Sequence, residues 1–392
     1  MSTAPIDEFR AVFAELARGA AERDRTGEHP YELISELAAA GFGKLRVPVE
    51  YGGLDVDLPT LFAVLAEAGE ADSNVPQIWR GHFTTTEILR RETDRAVRDR
   101  WFTAVGDGAV FGNAQSEPST AGTSPRDLAT RVRDGADGRY VSGTKFYSTG
   151  ARFADYIRVA VADGAGRRFV VLPARHPGVD HVDDWDGIGQ RQTGSGTTVL
   201  TDVPVEDLGD IGSDDYAVRG LDSFVQVVHL ANLVGVARNL VSETVDLVRA
   251  RNRTSLHGLT QVAAEDPEVL GVIGTLEARA LTAEALVTHV AHRLDEAHAA
   301  DDERGFAETY LTVSTAQVAI VDAVLDASSS AFNAVGSSAV RNGVNLDRHW
   351  RNARTLASHN PVIYKPRVVG DRLVNDVYPT SGYYRNSERT AS

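Results

Sequence analysis

Two segments near the middle of the chain combine small and polar residues in a pattern that suits a flat ligand. The first, FGNAQSEPSTAGTSPRD, begins at Phe111 and has small residues at Gly112, Ala114 and Ser116. Small side chains let the backbone approach a flat ring closely, and backbone N–H groups can then face the ring's polar edge. The second segment, GTKFYSTGARFADY, begins at Gly143. A polar turn and an ordinary strand are the alternatives for either segment taken alone.

A histidine followed by an asparagine stands near the end of the chain, in the segment RNARTLASHNPV that begins at Arg351. The imidazole of His359 can donate or accept a proton near pH 7, so it is a candidate acid–base or hydrogen-bonding group. Asn360 is an amide, and it cannot remove a proton from carbon. A capping or surface role is the alternative for a lone histidine after a helix.

Composition excludes several classes of chemistry. The chain has 392 residues and no cysteine, which rules out disulfides, thiolate nucleophiles and thiolate-bound metals, and we predict no metal site. A formal net charge of −15 argues against nucleic-acid binding, which needs clustered lysine and arginine. No run of about 18 apolar residues and no signal-like N-terminus is present, so we expect a cytoplasmic protein without a membrane span. No GxGxxG segment follows a strand, so no nicotinamide site is predicted.

The elements that must position these residues fall into three parts. Apolar residues at helical spacing predict helices over residues 5–92, with Gly41 ending the second, and a hairpin-like stretch at 51–53. Short alternating runs with turn residues then predict strands at 140–147, 156–161, 168–172 and 197–203. Long helices follow at 230–251, 267–294 and 307–334, and with a fourth they predict an antiparallel bundle. The predicted domains are 1–106 (helical), 107–213 (β) and 214–392 (helical bundle).

The first two segments, the segment DDWDGIGQRQTGSGTTVLTDVPV from Asp183 and the segment from Arg351 together resemble the acyl-CoA dehydrogenase superfamily in order and spacing. Within it, the chain is most similar to two-component flavin-dependent monooxygenases of the dibenzothiophene monooxygenase type. The resemblance implies a mostly α fold with an N-terminal helical domain, a central β-barrel-like domain and a C-terminal four-helix bundle. In relatives a turn matching 333–338 reaches the cofactor of a neighbouring subunit, which implies a homotetramer.

The resemblance also implies roles for individual residues. Those implied to bind the cofactor are Asn113, Ser116, Tyr147, Ser148, Thr149 and Arg251, the last through the cofactor phosphate. Those implied to be catalytic are His359, Ser148 and Asn113, and those implied to line the substrate pocket are His82, Thr86, Trp185 and Asn360. A solvated basic helix end explains Arg251 equally well. The family has a tyrosine where this chain has Thr86 and a second histidine where it has Leu356, and these changes leave the substrate open.

The implied function is a monooxygenase that uses reduced FMN and O2 to oxygenate a small organic substrate through a flavin hydroperoxide. A separate NAD(P)H:flavin reductase would supply the reduced FMN, and FAD is the less favoured cofactor. Many acyl-CoA dehydrogenases have a glutamate base at the position of Asn360, which argues against that reaction here. Three alternatives remain: an FAD-dependent dehydrogenase with a displaced base, a flavin N-hydroxylase acting on an amine, and a non-redox protein on the same fold.

Overall fold

The computed structural model describes residues 4–117, 128–164, 166–205, 220–251 and 255–379. The N-terminal part is helical, as predicted. Asp57 and Asp94 begin two of its helices by accepting hydrogen bonds from backbone N–H groups of the first turn. The helices are α1 (Ala4–Thr26), α2 (Tyr31–Ala39), α3 (Leu58–Ala71), α4 (Asn74–Leu89) and α5 (Arg95–Gly106).

Two glycines shape the connections in this part of the chain. Gly41 follows α2 with a φ of 89°, a left-handed conformation that favours glycine, so the predicted helix end is confirmed. The hairpin predicted at 51–53 is wrong. A short 3₁₀ turn, Val49–Tyr51, leads into Gly52, whose φ is 79°, and no strand follows. The glycines therefore end a helical turn there and do not connect two strands.

In the described residues of the middle part, seven strands, numbered β1 to β7 along the chain, form one curled sheet in the order β1-β4-β2-β3-β7-β6, and β5 pairs with β4. All four predicted strands are confirmed, with ends that differ by a few residues. The strands are β1 (Phe111–Ala114), β2 (Arg131–Gly135), β3 (Gly138–Lys145), β4 (Tyr156–Asp163), β5 (Gly166–Pro173), β6 (Val179–His181) and β7 (Thr198–Pro204). Strand β1 runs parallel to β4, which brings the end of β1 next to the centre of the sheet.

The C-terminal part is a bundle of long helices packed against one another. Asp266 and Asp302 cap two of the helices, and the three predicted helices are confirmed. The helices are α6 (Leu221–Arg249), α7 (Pro267–Ala300), α8 (Glu303–Val335), α9 (Arg348–His359) and α10 (Lys365–Asn375). The predicted boundary between residues 213 and 214 lies outside the described residues.

The helix α6 and the segment Glu303–Val340 are long and apolar enough to cross a membrane by length and composition alone. The most apolar stretch of α6 is 78% buried inside the protein, as expected of a core helix. Helix α4 is buried along its whole length, because it packs against β1 on one side and α6 on another. It therefore lies where the three parts of the chain meet.

Candidate active site

A cleft of about 1180 Å³ opens between the sheet, α4 and the helical bundle. This volume exceeds the 300–1,000 Å³ of typical small-molecule sites, so it can hold a sizeable cofactor together with a substrate. Its walls come from several elements. The predicted site residues that line it are Asn113, Ser116, Tyr147, Thr149, Trp185, His359 and Asn360.

The sheet forms one wall of the cleft. The carbonyl of Ser116 accepts a 2.8 Å hydrogen bond from the backbone N–H of Phe146, which places the two predicted flavin segments side by side. Tyr147 has a left-handed φ of 57°, an uncommon conformation for a tyrosine, and about half of its surface is exposed. Its ring meets that of Trp185 edge to face, with 5.8 Å between the centroids. These contacts form an aromatic corner that can border a flat ligand.

Hydroxyl groups continue this wall. The Oγ1 of Thr149 lies 2.8 Å from the Oγ of Ser195, which lies 2.7 Å from the Oγ1 of Thr193. Ser148, between two residues that line the cleft, does not line it. The Ser148 side chain is buried, directly after the left-handed turn at Tyr147. Its hydroxyl is buried without a hydrogen-bond partner among the described residues.

The small residues at Gly112 and Ala114 have a different role from the predicted one. Both are buried, and a Cβ at Gly112 would lie 2.5 Å from the Cα of Ala151. The glycine is therefore needed for packing within the protein rather than for approach to a ligand. The residues of this segment that face the cleft are Asn113, whose Oδ1 accepts a 2.7 Å hydrogen bond from Gln115, and Ser116.

The helical bundle forms the opposite wall, where His359 is the last residue of α9. Its ring lies 4.3 Å, centroid to centroid, from that of His229 on α6. Desolvation by the surrounding protein lowers the pKa of His359, and the positive charge of Arg80 lowers it further. The His359 side chain is also exposed toward the cleft. The imidazole is neutral at pH 7.

His229 is a histidine of this wall that the sequence analysis did not identify. It is 1% exposed, and neither ring nitrogen has a partner among the described residues. Burial lowers the pKa of His229 well below its usual value, and the charges of His359 and Arg80 act in the same direction. The signal was present in the sequence, because Gln226 and His229 are polar residues one turn apart in an otherwise apolar run.

Asn360 is held by two helices of the bundle. Its side-chain amide donates to the Oε1 of Gln226 at 2.9 Å, and its backbone carbonyl accepts from the Nε2 of Gln317, also at 2.9 Å. Asp222 is the single carboxylate among the described residues that line the cleft. The position at which many dehydrogenases have their base therefore holds a fixed amide.

His82 and Thr86 do not line the cleft, contrary to the prediction. His82 is fully buried, where its Nδ1 accepts a 3.2 Å hydrogen bond from the N–H of Phe111 and its Nε2 donates to the carbonyl of Gly43 at 2.8 Å. Burial lowers the pKa of His82 to about 4. The hydroxyl of Thr86 donates to the Phe83 carbonyl.

The helical period explains this difference. The residues of α4 that line the cleft are spaced three or four positions apart, as expected of one helix face, and they are Gln77, Arg80, Thr84 and Ile88. Positions 82 and 86 lie on other faces of the same helix. The polar groups that α4 contributes to the cleft are therefore those of a glutamine, an arginine and a threonine.

Arg251 is also not part of this cleft. It follows the C-terminal end of α6 and donates a 2.9 Å hydrogen bond to the carbonyl of Ala334, near the end of α8. The cleft is lined by the first residues of α6, and this helix of 29 residues is roughly 40 Å long at 1.5 Å per residue. Within one subunit, Arg251 cannot contact a cofactor in the cleft.

Three family models together account for most of the chain. They describe the N-terminal, middle and C-terminal domains of acyl-CoA dehydrogenases and match residues 5–109, 112–203 and 227–363, respectively. The chain belongs to the acyl-CoA dehydrogenase family. The resemblance inferred from the four sequence segments and the predicted fold class are thereby confirmed.

Relatives within the acyl-CoA dehydrogenase family include flavin monooxygenases. The chain is 29% identical to dibenzothiophene monooxygenase from Rhodococcus erythropolis, over 97% of this chain and 95% of the relative. It is 29% identical to a probable FMNH2-dependent monooxygenase from Pseudomonas putida, over 96% of each chain. The crystal structure of FMN-bound TdsC from Paenibacillus sp. A11-2 superimposes with a TM-score of 0.88, at 27% identity, over 97% of this chain and all of the other.

The cleft of this member of the acyl-CoA dehydrogenase family fits a flavin. The corner of Tyr147 and Trp185 can border the ring, and hydroxyl and amide groups such as those of Thr149 and Asn113 can bond its polar edge. On the bundle side, the hydroxyl of Ser314 lines the cleft and is buried without a partner among the described residues. A buried polar atom in that state is expected to bond a bound molecule.

Proposed function

We propose that this protein is a monooxygenase that uses reduced FMN and O2 to oxygenate a small organic substrate. The observation that carries the proposal is the pairing of a flavin-sized cleft with a neutral histidine, His359, and an amide, Asn360, at the position of the dehydrogenase base. Reduced FMN supplies the chemistry by reacting with O2 and delivering one oxygen atom to the substrate. The relatives named dibenzothiophene monooxygenase and FMNH2-dependent monooxygenase support this proposal.

The two walls of the cleft have different tasks in this proposal. The sheet wall, with Tyr147, Thr149 and Asn113, holds the ring in place. The bundle wall presents His359, whose neutral imidazole can donate one hydrogen bond and accept another at the oxygen that is transferred. His229 packs behind His359 and fixes the plane of its ring. Fixed groups of this kind stabilise the transition state well, because they need no reorganisation during the reaction.

Assembly into a homotetramer would explain how Arg251 can bind a cofactor although it lies far from the cleft of its own subunit. This residue and the turn at Gly336 lie at the same end of the bundle, about 40 Å along α6 from the cleft of their own subunit. In such a tetramer, the guanidinium of Arg251 would be the group that binds the FMN phosphate of a neighbouring subunit, through two parallel hydrogen bonds. A separate NAD(P)H:flavin reductase supplies the reduced FMN, either by direct contact or by diffusion.

Oxygen consumption tests the proposal. Reduced FMN, generated by an added NAD(P)H:flavin reductase, would be mixed with the purified protein and with a panel of thiophenes, phenols, amines and organic anions. We expect one oxygenated product per O2 consumed with at least one substrate class, and hydrogen peroxide alone without substrate. Bleaching of a bound flavin by an acyl-CoA thioester in the absence of oxygen would contradict the proposal and would favour a dehydrogenase with a displaced base.

A further inference from the structure

More basic than acidic side chains line the cleft. Among the described residues that line it, five are lysine or arginine, whereas Asp222 is the single carboxylate; the five are Arg80, Arg158, Arg354, Lys365 and Arg367. The whole chain carries a net charge of −15, so this local excess runs against the composition of the protein. The phosphate of FMN adds about two negative charges. Five cations against one carboxylate and this phosphate still leave the cleft positive.

Arg80 is the cleft cation whose charge acts on the two histidines of the bundle wall. It lies on α4, is 7% exposed and lines the cleft, and its charge acts on both His359 and His229 across the cleft. The phosphate of FMN is attached through a five-carbon ribityl chain, away from the ring carbon that reacts with oxygen. If His359 acts at the ring carbon that reacts with oxygen, as proposed above, a cation whose charge acts on His359 would be far from the phosphate and available to the substrate.

Although small-molecule pockets are mostly apolar, two buried polar side chains without described partners line the same cleft as Arg80. One turn before it on α4 is Gln77, which lines the cleft, is 6% exposed and has a side-chain oxygen without a described partner. Ser314 on α8 is 1% exposed and has an unpartnered hydroxyl in the same cleft. Buried polar groups without partners are costly, so both are expected to bond a ligand that carries polar atoms.

We infer that the substrate is a small organic anion, such as a carboxylate or a sulfonate, whose charged group binds Arg80 next to His359. The inference rests on the proposed function, because it assigns the substrate class of the same cleft. A guanidinium binds such groups through two parallel hydrogen bonds, which positions the rest of the molecule as well as holding it. The other cleft cations raise the local concentration of anions through their longer-range field.

Two pairs of probes of equal shape and different charge test the inference. They are benzenesulfonate against benzenesulfonamide and methanesulfonate against methanesulfonamide, titrated calorimetrically at pH 7 into the full chain loaded with oxidised FMN. We expect the protein to bind at least one sulfonate about 10-fold or more tightly than its sulfonamide. Arg80→Gln should remove that preference without weakening FMN binding, and Arg80→Lys should keep part of it. Arg175→Gln, at an exposed surface arginine outside the cleft, is the matched control.

The outcomes separate this inference from the proposed function. Equal affinity for sulfonate and sulfonamide in the unmodified protein, or no binding of any probe, overturns the inference without need of a variant. Weaker FMN binding in Arg80→Gln with an unchanged anion preference also overturns it, because Arg80 would then hold the cofactor phosphate. If the protein prefers the sulfonates but consumes no oxygen with reduced FMN, the inference stands and the proposed function fails.

Discussion

The rings of His229 and His359 lie 4.3 Å apart, centroid to centroid, at an interplanar angle of 41°. At this distance two positive charges would repel strongly, and Arg80 adds a third, so both rings are held neutral at pH 7. Two interacting histidines titrate as a pair rather than separately. The pair therefore keeps His359 available as a neutral hydrogen-bonding group over a wide range of pH.

Replacing His359 by alanine should uncouple oxygen consumption from product formation. We expect the rate of product formation to fall by about 100-fold or more, because one donor at the transferred oxygen is lost. Affinity for FMN should change little, and hydrogen peroxide released per reduced FMN should rise. His289→Ala, at an exposed histidine on α7, is the control. Unchanged product yield in His359→Ala would remove this residue from the reaction.

Replacing His229 by phenylalanine should leave the protein as stable or more stable at pH 7, because two buried nitrogens without described partners are removed. The difference in free energy of unfolding between His229→Phe and the unmodified protein should grow as the pH falls. The pKa of folded His229 lies well below 6.5, so below pH 6.5 the unfolded chain binds a proton that the folded protein does not, and the unmodified protein loses stability.

Urea unfolding of the unmodified protein and His229→Phe at two pH values measures this effect. The difference in free energy of unfolding should increase by about 1 kcal/mol between pH 6.5 and pH 5.5. A constant difference would show that the pKa of His229 is the same in the folded and unfolded states, which would contradict the lowered pKa. The ring plane of His359 should also be less constrained, so the yield of product per FMN should fall modestly, whereas His289→Phe should leave that yield unchanged.

Ser148→Ala separates a structural role from a role in the reaction. The hydroxyl has no partner among the described residues, so its removal should change the free energy of unfolding by less than about 1 kcal/mol and can increase it. Contact with the bound flavin is still the prediction for this residue, and it requires product yield per flavin oxidised to fall. Ser142→Ala, which loses a bond to Asp202 far from the cleft, is the control for stability. A yield equal to that of the unmodified protein would leave Ser148 without a role.

His82→Leu should act on the fold and not on substrate choice. It leaves the N–H of Phe111 and the carbonyl of Gly43 buried without their partner, which we expect to cost about 2–4 kcal/mol of folding free energy. Thr84→Ala, on the cleft face of the same helix, should cost less than about 1 kcal/mol. Equal destabilisation by both changes, measured by urea titration, would contradict the division of α4 into two faces.

The sequence predicted the three-part architecture well, because the spacing of apolar residues differs between the helical parts and the β part. The bundle helices are long enough for their repeat to dominate, and the strands were found within a few residues of their ends. The family segments also identified most of the cleft's sheet wall, including Tyr147 and Trp185. These residues lie in short segments whose neighbouring residues are also neighbours in the cleft wall, so a match of the segment was enough to place them.

The errors have equally specific causes. Polar residues lie on several faces of the buried helix α4, so the sequence could not tell that Arg80 rather than His82 reaches the cleft. His229 was missed although Gln226, one turn earlier on the mostly apolar helix α6, is also polar. Gly112 was interpreted as a residue that lets a ligand approach the backbone, although its missing side chain makes space for Ala151. Arg251 could not be placed because its proposed partner belongs to another molecule.

Because packing residues and cleft residues alternate along α4, the substrate range of this protein can change while its core stays the same. Residues such as Trp79, His82 and Phe83 maintain the N-terminal domain, whereas Gln77, Arg80 and Thr84 touch the contents of the cleft. A single nucleotide change in the codon for one of the latter can alter which molecules the protein accepts without weakening its core. Natural selection, or a mutant library restricted to these three codons, can therefore explore new chemistry on a scaffold that stays folded.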